Sequence, residues 1–328
     1  MCKFVELKTG QMKKYDIAAI GELNVDIILN GIESEPEIGK EKFADSMTVT
    51  LGSSTAIFAA NAASLGSKVC FVGMVGRDSF GSLVRSSLEA RGVDTSYLVE
   101  GDTPTGATIC MSYGEDRANL TYQGAMDVMG FGDIDLSVFD SARHIHLSSL
   151  FMQSGLLRDI DKILDKAASK GVTVSLDTQW DPLEKWALDY KSVLPKITLF
   201  LPNETELQAL THTCSLEDGI AAVQPYLGCA MLVKCGSAGS LLVLKDGTRH
   251  LLPAFLNRNV VDAIGAGDSC NAGFVSAFVK GLPLTECQEV GNLTGAVNTT
   301  AAGGTGAFTS LQAVRDVCRE RFGREFKL

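Results

Sequence analysis

Short, almost wholly apolar runs recur along this chain, alternating with stretches of helical spacing. The runs are YDIAAI (15–20), SKVCFVGMVG (67–76), HIHLSSL (144–150), VTVSLDT (172–178), ITLFLPN (197–203) and AMLVKCG (230–236). Strands apolar at both parities need cover on both faces, which is the condition of a parallel sheet between helices. The helical stretches are 54–66, rich in alanine and ending at Gly66; 82–91, stopping at Gly92; and one near 155–170. Others begin at Glu204 and near Asp268, Thr285 and Ser310. The alternation predicts an α/β chain, a three-layer α/β/α arrangement around a mostly parallel central sheet.

Two segments break the alternation. Residues 32–52 and 98–126 carry β-branched residues, polar alternation and turn signals, as in TGATICMSYGEDRANLTYQG. They read as a small antiparallel sheet inserted into the α/β body, a natural lid beside a site. With no repeat or low-complexity linker, a single domain over 13–322 is expected, preceded by a tail over 1–12.

The balance of 39 acidic against 29 basic residues, net charge -10, leaves no cluster of Lys and Arg to track a phosphate backbone, so nucleic acid is not expected as a partner. No apolar stretch is long enough for a membrane span, and none of the 9 cysteines forms a CxxC pair. A reduced, cytoplasmic setting is the expectation.

The most informative stretch is VVDAIGAGDSCNAGFVSAFVKG, residues 260–281. Gly265, Ala266 and Gly267 lead into a helix that opens with Asp268 and Ser269. Small residues let a ligand approach the backbone, and free N–H groups at a helix start attract the charge that builds during phosphoryl transfer. Asp268 at the same turn is placed to accept a proton from an attacking hydroxyl. Asp is also a favoured helix cap, so the stretch alone leaves both readings open. No GK[ST] and no GxGxxG is present here, which disfavours a P-loop ATPase or a dinucleotide-binding dehydrogenase.

This stretch resembles the C-terminal signature DTxGAGD of the ribokinase-like (PfkB) carbohydrate kinases, here Asp262, Ala263, Ile264, Gly265, Ala266, Gly267 and Asp268. The resemblance runs from about residue 15 to 310. It implies an ATP- and Mg2+-dependent kinase with a ribokinase-like fold, Asp268 as catalytic base and 265–268 as anion hole. Alanine replaces the usual threonine at 263, which bears on local hydrogen bonding or on a monovalent-cation loop.

The same resemblance assigns other residues. In GELNVDIIL, Asn24 and Asp26 would meet sugar hydroxyls. The Gly52–Ser53 turn stands where the family has a Gly-Gly pair, and Ile57 stands where it has a sugar-binding asparagine. LPNETEL matches the NxxE motif, implying Asn203 beside the nucleotide and Glu206 near Mg2+; a capped helix start with acidic first-turn residues is equally consistent. Lys234, Gly236 and Gly239 fall in the nucleotide loop, with a solvated lysine as the alternative for Lys234. Asn298 falls beside the adenine, Arg117 in the lid toward substrate or phosphate, and Asp78 reads as a helix cap. His144 and His146 alternate on a core strand and read as structural.

The sequence therefore points to phosphoryl transfer from ATP to a hydroxyl, a primary one, of a small sugar or sugar-like molecule. A nucleoside kinase, with Ile57 and Phe58 in a base pocket, and a non-catalytic sugar- or nucleotide-binding regulator are the alternatives. Exposed lid edges suggest a homodimer.

Overall fold

Successive residues of one apolar run enter two different cores, which is why both parities must be apolar. In the first strand Ile17 and Ala19 join one core while Ala18 and Ile20 join the other. The computed structural model describes residues 13–113 and 116–328; the expected tail over 1–12 lies outside the described residues.

The strands in chain order are β1 (Tyr15–Ile20), β2 (Asn24–Asn30), β3 (Ser46–Leu51), β4 (Val69–Gly76), β5 (Asp94–Gly101), β6 (Gly106–Tyr113) and β7 (Asp116–Tyr122). They continue with β8 (Ala142–Ser148), β9 (Thr173–Asp177), β10 (Leu199–Phe200), β11 (Ala230–Lys234), β12 (Ser240–Leu244) and β13 (Arg249–Leu252). Nine form the large sheet, in the order β13-β12-β11-β10-β9-β8-β1-β4-β5. Its strands are parallel from β5 across to β11, and β12 and β13 extend the edge as antiparallel ribbons.

Helices cover both faces. Ser154–Ser169 contributes Leu156, Ile160 and Ile163 to one core, while Ser54–Ser64 and Ala266–Val279 contribute Phe58 and Phe274 to the other. Each fully buried phenylalanine is worth about 1.5–3 kcal/mol of transfer free energy before the entropy of ordering is counted. No helix among the described residues is long and apolar enough to cross a membrane. No disulfide joins cysteines among the described residues.

The second sheet has four strands in the order β3-β2-β6-β7, with β2 antiparallel to β3 and parallel to β6. Its segments differ from those expected. It begins at Asn24 rather than near 32, because Gly21–Leu23 turns the chain out of the large sheet after β1. Residues 98–101 belong instead to β5 of the large sheet. The register makes this sheet two-faced: Val25, Ile27 and Leu29 pair with Leu51, Val49 and Met47 on one side, and Asn24, Asp26 and Thr108 lie on the other.

The chain order places a switch point at β1, since β4 lies on one side of it and β8 on the other. Ligands bind open parallel sheets outside the carboxyl ends of strands at such a point. Glu22, Ser149, Asp177, Asn203 and Lys234 all sit at those ends.

Candidate functional site

The helix Ala266–Val279 starts from Gly265, whose φ of 74° lies in the left-handed region. A Cβ there would come within 2.6 Å of Gly304 Cα, so glycine is required by both conformation and space. The turn is braced from behind. Asp262 accepts from Ile264 N and Gly303 N at 2.9 Å each, and Ile57, itself buried, packs against Gly265 and Gly304. Asn298 is also fully buried; it donates to Ile264 O at 2.6 Å and accepts from Ser269 Oγ at 2.8 Å. Its side chain holds this turn, with both the amide oxygen and the amide nitrogen bonded inward.

Asp268 lies in the first turn of that helix and is only 6% exposed. Burial pushes its carboxyl well above the ordinary range, the charge of Asp177 adds to the effect, and Lys234 opposes it. Gln179 Nε2 donates to Asp268 Oδ1 at 2.9 Å and to Asp177 Oδ2 at 3.0 Å. Lys234 Nζ reaches the same Asp177 oxygen at 2.6 Å, and Asn271 Nδ2 donates to it as well. The solvated alternative for Lys234 is thus overturned: its ammonium is inside, in an ion pair. A continuous polar chain runs Lys234–Asp177–Gln179–Asp268.

Asn203 caps the helix Glu204–Thr211 and forms a reciprocal box with Glu206. Asn203 N and Nδ2 donate to the Glu206 carboxylate at 2.8 and 2.7 Å, and Glu206 N donates to Asn203 Oδ1 at 2.8 Å. Burial first, and then the charge of Asp177, raise the Glu206 carboxyl to about 7, against the pull of Lys234. Asn203, Glu206, Lys234, Gly236, Gly239 and the 265–268 turn together line one cleft of about 560 Å³. The residues fit Mg2+, which takes one or two carboxylates and completes its shell with water and phosphate oxygens. Glu206 offers such a carboxylate, and each of its oxygens keeps a lone pair beyond the bond from Asn203.

A second group gathers at the polar face of the small sheet. Asn24 Nδ2 donates to Thr108 Oγ1 at 2.7 Å, while Asn24 Oδ1 is buried without a partner among the described residues. A Cβ at Gly52 would lie 2.2 Å from Asp26 Oδ1, so the glycine makes room for that carboxylate. Burial raises Asp26 to about 6, partly offset by the charge of Arg117, which is exposed on the same face of β7. Ser53 is differently employed than expected. Its φ is 74°, and its hydroxyl donates to Glu22 O at 2.6 Å and accepts from Ala56 N at 3.1 Å, capping the helix it precedes.

Glu22 links the two groups, because its charge acts on both Asp26 and Asp268. It is buried, bonded by Thr55, and held up in pKa by that burial. Asp78 caps its helix through Gly81 N at 2.8 Å. Both ring nitrogens of His144 are bonded, and His146 bonds Ser175 and stacks on Phe58, both as core groups. Asp177, Gln179, Asn271 and Glu22 were not read as site residues from the sequence. The only local signal was that VTVSLDT, a core strand, ends in a carboxylate.

The sequence profile described as pfkB family carbohydrate kinase matches residues 14–310. The chain is 32% identical over 241 residues to an Archaeoglobus fulgidus protein described as an uncharacterized sugar kinase, covering 71% of this chain and 91% of that one. It is similar in fold to Arabidopsis thaliana ribokinase complexed with ribose and ATP, with a TM-score of 0.78, 24% identity, and 92% and 98% of the two chains covered. A candidate ribokinase II from E. coli, solved with ATP and Mg2+, is similar with a TM-score of 0.79 at 19% identity, covering 94% and 100%.

Proposed function

The chain belongs to the pfkB family of carbohydrate kinases, and on that premise we propose that it transfers the γ-phosphoryl group of ATP to a primary hydroxyl of a small sugar, with Asp268 as the general base. The observation that carries this reading is the position of Asp268. It is a buried carboxyl with a raised proton affinity in the first turn of a helix whose entry is glycine-lined and opens on a cleft. A carboxylate of that kind is a strong base, and the helix start beside it stabilises anionic charge.

The acceptor sits against Asn24, Asp26 and Gly52, under the polar face of the small sheet, with Arg117 at its edge. Asn24 Oδ1 and the Asp26 carboxylate offer acceptors to hydroxyl protons. ATP lies along the cleft, its phosphates directed to the 265–268 turn, between the 236–239 loop and Asn203. Mg2+, held through Glu206, neutralises phosphate charge when bound. The small sheet excludes water from the reacting groups and limits ATP hydrolysis.

A nucleoside acceptor gains nothing from Ile57 and Phe58. Ile57 packs against Gly265 and Gly304, and Phe58 is fully buried against His146. The test is ADP release with Mg-ATP across pentoses, hexoses, ketoses, sugar acids and nucleosides. A sugar hit supports the reading and names the acceptor. A hit confined to nucleosides, or ATP binding with no turnover on any acceptor, overturns it.

The partner proposed is a second copy of the chain. Along the outer face of the small sheet Met47, Leu120 and Tyr122 are 65%, 64% and 55% exposed, in register with Leu29 and Ile27 on β2 and Ile109 on β6. Large apolar side chains aligned on a sheet face need cover, and a two-fold copy supplies a matching face.

A further inference from the structure

Gln179 occupies an unusual position for its type. It follows β9 with φ 57°, in the left-handed region that residues carrying a Cβ seldom adopt without support from their surroundings. What holds it is a pair of carboxylates. Its backbone N–H donates to Asp177 Oδ1 at 3.3 Å, and its side-chain amide donates to Asp177 Oδ2 at 3.0 Å and to Asp268 Oδ1 at 2.9 Å.

An amide nitrogen has two hydrogens, and here each has a carboxylate. The opposite flip would set the amide oxygen against two anionic groups, so the orientation follows from the charges. Asp177 is itself clamped: Lys234 Nζ at 2.6 Å and Asn271 Nδ2 donate to the same oxygen. Gln179 therefore hangs from a fixed anchor and reaches Asp268 with one N–H.

We propose that Gln179 is a positioning residue, which holds Asp268 by Oδ1 and so leaves Oδ2 as the oxygen that takes the acceptor proton. The inference rests on the assignment of Asp268 as base. In the step, the acceptor O–H proton moves to Asp268 Oδ2 and the acceptor oxygen bonds the γ-phosphorus. The bond from that phosphorus to the bridging oxygen breaks, and its electron pair leaves with ADP. The donated hydrogen bond also favours the ionised form of Asp268. The charged groups facing that carboxyl are Asp177, Glu22 and Glu206, which disfavour its anion, and Lys234, which favours it. The Gln179 bond works on the side of Lys234.

Gln179→Met keeps length and bulk and removes both donors. It is expected to lower kcat by roughly 10- to 100-fold, the scale of one lost hydrogen bond to a charged group, with KM for ATP and acceptor within about threefold of wild type. The acid limb of the kcat–pH profile is expected to move upward by about one unit, because a base of higher pKa is protonated at a higher pH. If Gln179→Met does not fold, Gln179→Asn, too short to bridge the two carboxylates, is read by the same profile. An unchanged kcat overturns the proposal. So does a lower kcat with an unmoved acid limb, which marks a structural role only. Asp268→Asn in parallel separates the two claims: if that variant retains turnover the base assignment itself fails, and if it is inactive while the Gln179 variant matches wild type only the positioning fails.

Discussion

Lys234 Nζ lies 2.6 Å from Asp177 Oδ2, with the Asp177 side chain fully shielded and that of Lys234 12% exposed. Removing one partner of such a pair leaves an uncompensated charge inside the protein. Lys234→Met is expected to lower unfolding stability by about 3–5 kcal/mol, read as a drop in the urea midpoint at unchanged m-value. A midpoint equal to wild type would show that the pair is open to solvent.

At the start of the base-bearing helix, Gly265→Ala places a carbon 2.6 Å from Gly304 Cα on a backbone with φ 74°. The expected cost is about 1–3 kcal/mol of stability, together with a kcat loss of roughly 10²-fold or more as the turn is displaced. Gly267→Ala is the stability control, since its added carbon meets nothing nearer than Lys234 Nζ at 3.7 Å. Equal melting temperatures for the two variants would refute the steric reading.

Asp26 carries a pH dependence whose sign follows from its raised pKa, about 6 against 3.8. The native state holds this proton more tightly than the unfolded chain, so the group's contribution to stability is complete below about pH 3.8 and is lost as pH rises through about 6. Asp26→Asn is therefore expected to stabilise the ligand-free protein by about 1–3 kcal/mol at pH 8 and by little at pH 4, while raising KM for the acceptor. Denaturation curves at both pH values check it; a gain of the same size at both contradicts the burial argument.

The outer face of the small sheet gives an association prediction. Sedimentation at micromolar concentration is expected to show a dimer for wild type and a monomer for Leu120→Glu. A wild-type monomer would exclude a second copy as the partner of this face.

Much of this was legible because it is local. The apolar runs name the strands of the large sheet, and GAGD names the start of the helix that carries Asp268. Asp78 and Asn203 cap the helices that follow them within a few residues. What stayed hidden depends on sheet order. Lys234 and Asp177 are 57 residues apart and meet because β9, β10 and β11 are neighbours. Gln179 and Asp268 are 89 residues apart and meet because a helix start lies over the end of β9. YDIAAI and NVDIIL follow one another closely, yet the first belongs to the large sheet and the second to the small one. No hydrophobic period distinguishes the two, because β2 is itself apolar on its outer face. Asn298 looked available as a polar residue in a small-residue loop, and only the packed structure shows its amide bonded inward.

In the proposed mechanism Asp268 accepts the proton of the attacking hydroxyl. The most direct test is single-enzyme kinetics of Asp268→Asn with Mg-ATP and the acceptor found for wild type, alongside nucleotide binding by calorimetry. ATP affinity is expected within a few-fold of wild type, with turnover reduced by roughly 10²–10⁴-fold. Turnover near the wild-type value, in a variant that binds ATP normally, would contradict it.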